Sequence, residues 1–244
     1  MTLAITFPTI ARVMTIDALP GVISAFLFAA SPPAWAARQD EQLWLQANTH
    51  IPIAPNVRLT LEQITRFGDR ANGLFQTEIG GILGYRVNRH IEIGAGYRNV
   101  GVESGSRTFY ENRVRQHVLI TSGRWFGRFR VDERFHPDGN EIGFRIRPLV
   151  RYNLPLNEQG VALFVSHESF YLANSTRWGQ RRGYDRMRNL VGLVLPLSQR
   201  MSADVGYLNQ YRPARSSTRA QMDHALSIQL TVNLATHPPP PSDD

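Results

Sequence analysis

The sequence predicts one all-β domain, a closed antiparallel up-and-down β-barrel of about 10–12 strands, behind an export segment. Three observations carry this expectation. Segments of roughly 9–13 residues alternate apolar and polar side chains, and the connections between them alternate between short and long. An apolar N-terminal run also ends in small residues, as a cleavable signal does.

The export segment comes first. Residues 18–30 form an apolar run of 13 residues, shorter than the roughly 20 that a transmembrane helix needs. Ser31, Pro32 and Pro33 follow, and then Ala34 and Ala36 supply the small positions that a signal peptidase reads. Arg12 is the single cation ahead of the run, offset by Asp17. The expected division is therefore a signal peptide at 1–36, a barrel at 37–234 and a Pro-rich tail at 235–244. A buried or amphipathic N-terminal helix is the competing reading of the first part. The sequence has 0 cysteines, which excludes disulfides, thiolate metal sites and a lipidated cysteine anchor.

The strands follow in order. The first segment, 41–51, is the weakest, and a partial crossing there would explain why eleven segments are read. Bacterial single-chain barrels have an even number, so ten or twelve strands are expected. In the next, Ile79, Leu83, Tyr85 and Val87 oppose Glu78, Gly80, Gly84 and Arg86. Ile91, Ile93, Ala95 and Tyr97 then oppose Glu92, Gly94, Gly96 and Arg98. Further on, Phe129, Val131 and Phe135 oppose Arg128, Arg130, Asp132 and Arg134. Ile142, Phe144, Ile146, Val150 and Tyr152 oppose Arg145, Arg147 and Arg151. The segments 164–172 and 190–195 are apolar on both sides and give no facing. The last is the clearest: Met222, His224, Leu226, Ile228, Leu230, Val232 and Leu234 share one face. Successive strand residues point to opposite faces, so each regular segment has one apolar and one wet side.

Short connections are expected at 54–56, 88–89, 122–124, 157–160 and 198–200. Long ones are expected near 68–73, 103–110, 137–140, 174–185 and 213–220. Trp125, Tyr85, Tyr97, Tyr152, Tyr207 and Tyr211 are placed near strand ends, as an interfacial girdle.

Net charge is +7, from 27 basic and 20 acidic residues, and every basic residue is Arg. A pI near 10.3 first suggests nucleic acid. The arginines alternate along strands behind an export segment, so nucleic acid is not an expected partner. If the apolar face meets lipid, the charged face lines the lumen, where unpaired buried charge would be costly. The candidate site is therefore a lumen charge network of Glu62, Glu78, Glu92, Arg128, Arg130, Asp132, Arg134, Arg145, Arg147, Arg151, Glu168 and Asp204. It acts either as an ion-pair plug or as a wet channel that favours anions. Expected partners are outer-membrane lipid, lipopolysaccharide phosphates facing Arg177, Arg181 and Arg182, and the barrel-assembly machinery. No cofactor or metal motif is found, and no catalytic site is expected. One alternative is a lipid hydrolase using His167 and Ser169, two apart on one strand face, with no third partner assignable. Another is a water-soluble periplasmic barrel with the facing inverted and a ligand inside. Alternation alone does not distinguish inside from outside.

Several short strings recur in order along the chain. They are Leu43-Trp44-Leu45, Leu61-Glu62-Gln63, Arg66-Phe67-Gly68, Glu111-Asn112-Arg113, Gly127-Arg128-Phe129, Glu133-Arg134-Phe135 and Arg145-Ile146-Arg147. Trp178-Gly179 and the run from Gly206 to Tyr211 complete them. On these strings the chain resembles the bacterial domain-of-unknown-function 2490 family, across about 40–234. The resemblance implies export and a β-barrel; it implies no activity and no catalytic residues.

Overall fold

Period-two alternation becomes eleven strands among the residues described by the computed structural model, which are 37–104, 107–215 and 218–234. The strands are β1 (Arg38–Ala54), β2 (Val57–Gly68), β3 (Gly73–Arg86), β4 (Ile91–Ser104), β5 (Arg107–Ser122) and β6 (Trp125–Phe135). They continue as β7 (Ile142–Pro155), β8 (Ala162–Leu172), β9 (Gly183–Ser198), β10 (Met201–Arg212) and β11 (Gln221–Asn233). Residues 1–36, expected as a signal peptide, and 235–244, expected as a Pro-rich tail, lie outside the described residues.

Each strand pairs antiparallel with the next, and β1 closes the barrel on β11. The even count is corrected here. Eleven strands cannot alternate direction all the way round, so one seam must be parallel. That seam runs from Arg38↔Gln221 to His50↔Asn233. The first strand is full length: β1 has 17 residues, paired with β2 on one edge and β11 on the other.

One rim carries the connections after β1, β3, β5, β7 and β9, and we name it the turn rim. The opposite, loop rim carries those after β2, β4, β6, β8 and β10. Asn56, at φ 62 in the β1–β2 turn, takes the left-handed backbone that Asn tolerates better than other side-chain-bearing residues. The long connection expected at 103–110 is mostly strand: β4 and β5 stay paired out to Ser104↔Arg107. The β8–β9 connection is long and tied down. Asn174 Nδ2 donates to the Ile142 carbonyl at 2.8 Å, and Trp178 stacks on His136 at 4.8 Å.

Exposure follows the alternation and decides the facing. Ile79 (65% exposed), Leu83, Phe129 and Leu226 point outward, whereas Asp132 (0%), Asp223 and Arg115 are enclosed. Charge is inside and apolar surface outside, the reverse of the inverted arrangement. The two segments without a legible facing place Phe164, Phe170 and Leu190 inward. Trp44, Leu208 and Ala225 form an apolar cluster with Leu190 on the same inner side.

Aromatic residues stand at both rims. Trp125 packs on Tyr152 at 4.8 Å near the turn rim, with Tyr85 at the same end. Tyr110, Phe135, Tyr171 and Tyr184 lie toward the loop rim. Tyr97 and Tyr207 sit further along their strands than expected, and their hydroxyls bond to Asn112 (2.6 Å) and His224 (2.5 Å) on the outer wall.

Candidate functional site

All twelve charged residues singled out in the sequence point into the barrel. Strand register explains the local pairs. Asp132 on β6 lies directly opposite Arg145 on β7, and their side chains meet at 2.6 Å. Arg147, two residues along, reaches the same carboxylate at 3.3 Å and Glu168 at 2.9 Å. Glu168 also receives Arg128 at 2.6 Å and faces Arg188 across the β8–β9 ladder.

Other pairs reach past the neighbouring strand. Glu62 on β2 holds Arg98 at 2.7 Å and Arg115 of β5 at 2.5 Å. Arg151 on β7 reaches Asp204 on β10 at 2.5 Å. Glu92 on β4 reaches Arg58 on β2 (2.8 Å), whereas Glu78 with Arg66 (3.0 Å) and Arg98, and Arg134 with Glu111 (2.6 Å), join adjacent strands. Planar guanidinium forks that share carboxylates in this way satisfy several buried acceptors at once.

Inward aromatics replace acids where the alternation fades. Arg147 and Arg188 each lie 4.6 Å from the Phe170 ring, and Arg151 lies 3.8 Å from Phe164. The Trp44 ring receives both Arg66 at 4.1 Å and Arg188 at 4.6 Å. Such contacts hold a desolvated cation against a ring's negative face. Glycine makes room elsewhere: a Cβ on Gly84 would come 2.6 Å from Glu92 Oε1, and one on Gly94 2.5 Å from His117 Nε2.

The lumen is not filled. One cavity of about 500 Å³ opens toward the loop rim and a second, of about 540 Å³, toward the turn rim. They meet at a waist whose shared lining includes Glu62, Arg128, Arg130, Leu149 and Leu190. Thirteen arginines and seven carboxylates line the two cavities, so the walls are strongly electropositive.

Arg130 sits at that waist, 4% exposed. Among the described residues it makes no ion pair, and its Nε has no hydrogen-bond partner. Compensation reaches it from the field of Glu62, which Arg98 and Arg115 already hold. His117, on the turn-rim side of the waist, has both ring nitrogens unpartnered. Of the charged residues shared by the two cavities at the waist, Glu62 stands against Arg128 and Arg130. Among the described residues no group of His, Asp and Glu is arranged to hold a metal ion.

Sequence reasoning missed Glu111, Arg113 and Arg115, which are buried in β5. Their signal was available, since Glu111, Arg113, Arg115 and His117 recur with period two. It missed Arg58, Arg66, Arg186 and Arg188 as well. His167 and Ser169 are outside the lumen, on the outer face of β8 between the inward residues Glu168 and Phe170.

A sequence family described as "Protein of unknown function (DUF2490)" matches residues 41–221. The chain belongs to the DUF2490 family. An uncharacterized protein of Methylorubrum extorquens is 31% identical over 204 residues, covering 80% of this chain and 88% of its own. The DUF2490 match runs from β1 to the first residue of β11, so it contains Arg130 and most of the lumen pairs, whereas Ser227 and Gln229 of the waist lie beyond it.

Proposed function

We propose that this DUF2490 protein is an integral outer-membrane barrel whose electropositive, constricted lumen favours small anions. The observation that carries the anion preference is Arg130, buried at the waist between two cavities and, among the described residues, in no ion pair. A cation at a low-dielectric constriction raises the local concentration of anions and repels cations.

Membrane placement is supported by the outer wall. Its apolar side chains stand out on every side, far more than a soluble monomer leaves uncovered. Strands of 11 to 17 residues meet or exceed the roughly 9–11 that a tilted crossing requires. Aromatics at both rims fit two lipid–water boundaries. In this reading the loop rim faces outward from the cell, where Arg177, paired with Glu141 at 3.5 Å, stands near lipopolysaccharide phosphates.

The test has two stages. Carbonate extraction and heat-modifiability of the unboiled band establish the membrane barrel. Reversal potentials in planar bilayers under a potassium chloride gradient then read selectivity. Native protein is expected to favour chloride, and Arg130→Ala to lower the chloride-to-potassium permeability ratio roughly two-fold or more. An inserted barrel with no conductance, or one whose selectivity ignores Arg130→Ala, removes the anion reading.

A further inference from the structure

On the outer wall, three polar side chains are joined in one hydrogen-bonded chain. His167 Nε2 lies 2.9 Å from Ser169 Oγ, and His167 Nδ1 lies 2.7 Å from Asn189 Oδ1. Strand geometry produces this placement. His167 and Ser169 are i and i+2 on β8, hence on one face, and Asn189 is the direct register partner of His167 on β9. An amide oxygen only accepts, so it fixes the proton on Nδ1 and leaves Nε2 as the acceptor of the serine hydroxyl. A nucleophile, a base and a group that orients the base are thereby in sequence and at bonding distance.

The surroundings are those of a lipid-facing surface. Val150 is the register partner of His167 on the other edge, and Val191, Leu193 and Tyr171 are exposed on the same wall. A polar chain in such a wall is costly unless it has a use. The row continues from Asn189 through Asn209 and His224 to Glu41 near the loop-rim start of β1. The β7–β8 ladder is also interrupted beside the nucleophile. Pairing stops at Leu149↔Glu168 and resumes at Ile146↔Tyr171, leaving Pro148, which has no N–H, opposite Ser169. Alternation along β8 directs one backbone N–H of Ser169 or Phe170 toward that gap.

We propose that Ser169, His167 and Asn189 form the catalytic site of an acyl-ester hydrolase acting on membrane phospholipid. The choice of substrate rests on the membrane placement proposed above; the triad does not. Ser169 Oγ attacks the ester carbonyl carbon while its proton passes to His167 Nε2. The tetrahedral intermediate collapses by breaking the bond to the lysophospholipid oxygen, which leaves with that proton. Water then gives a proton to Nε2 and its oxygen to the acyl carbon, and the fatty acid departs as Ser169 recovers its hydrogen. Asn189 is a positioning residue, holding the imidazole and its tautomer.

The experiment uses full-length protein in detergent, checked for the fast unboiled band. It is exposed to a fluorophosphonate probe and, separately, to phosphatidylethanolamine in mixed micelles. Covalent labelling and fatty-acid release are expected, and both are lost in Ser169→Ala. Asn189→Ala is expected to lower kcat roughly ten-fold or more with KM little changed, and Asn189→Asp to restore it. A folded, heat-modifiable barrel that is neither labelled nor active overturns the triad and leaves the membrane placement standing. Labelling that survives Ser169→Ala also overturns it. A labelled protein that carbonate extracts from membranes keeps the triad and removes the membrane placement and the phospholipid assignment with it.

Discussion

Asp132 is fully enclosed and receives two guanidiniums, those of Arg145 and Arg147. The two cations differ in what they would keep without it. Arg147 retains Glu168, whereas Asp132 is the carboxylate that pairs with Arg145. Asp132→Asn therefore leaves a buried, unpaired cation at Arg145, which costs about 3–5 kcal/mol. The temperature at which the fast unboiled band disappears should fall sharply. Removing both charges with Asp132→Leu and Arg145→Met should recover most of the loss, because the pair's attraction is largely spent on desolvation. Arg130 stands at the other extreme. Among the described residues it makes no ion pair, and it sits among arginines, so Arg130→Ala is expected to change selectivity without lowering that temperature.

At the scale of the strand, glycine does what no other residue can in the β3–β4 hairpin. Gly96 lies opposite Ile82, and a Cβ there would come 2.1 Å from the Gly81 carbonyl oxygen. The obstruction is backbone and cannot swing aside, so Gly96→Ala should cost about 1–3 kcal/mol. Gly127→Ala is the control, since a Cβ there meets nothing nearer than 3.9 Å. Melting of the unboiled band by gel separates the two. The same scale explains what the sequence made legible. Along β6, β7 and β11 one face is wet and the other apolar, so period two survives in the residue types. Along β8 and β9 it fades because Phe164 and Phe170 face inward beneath guanidiniums, where an aromatic replaces an acid, and Leu190 packs inward against the Trp44 cluster. The 103–110 stretch reads as a loop because it is polar, yet its backbone stays in the ladder to Ser104↔Arg107. Pairs that reach past the neighbouring strand, such as Glu62 with Arg115, were out of reach: they depend on how the barrel closes. The third member of the outer-wall chain, Asn189, was hidden for a related reason. It lies 22 residues beyond His167, at a distance that only the β8–β9 register converts into contact.

For the whole molecule, strand parity has a consequence that alternation within strands cannot reveal. With an even number of strands both ends of a barrel leave from one rim. Here β1 and β11 run parallel, so Arg38 begins at the loop rim and Leu234 follows β11 at the turn rim. If the barrel spans the outer membrane, these two residues lie on opposite sides of it. The sequence has 0 cysteines, which makes single-cysteine labelling free of background. Arg38→Cys and Leu234→Cys are expected to react oppositely with a membrane-impermeant maleimide in intact cells. With the longer loops outward, Arg38→Cys should label at once and Leu234→Cys only after permeabilisation. The opposite order would invert the orientation and keep the parallel seam. Equal labelling of both sites in intact cells would mean that β1 and β11 do not close side by side in the same direction, and the eleven-stranded ring would have to be redrawn.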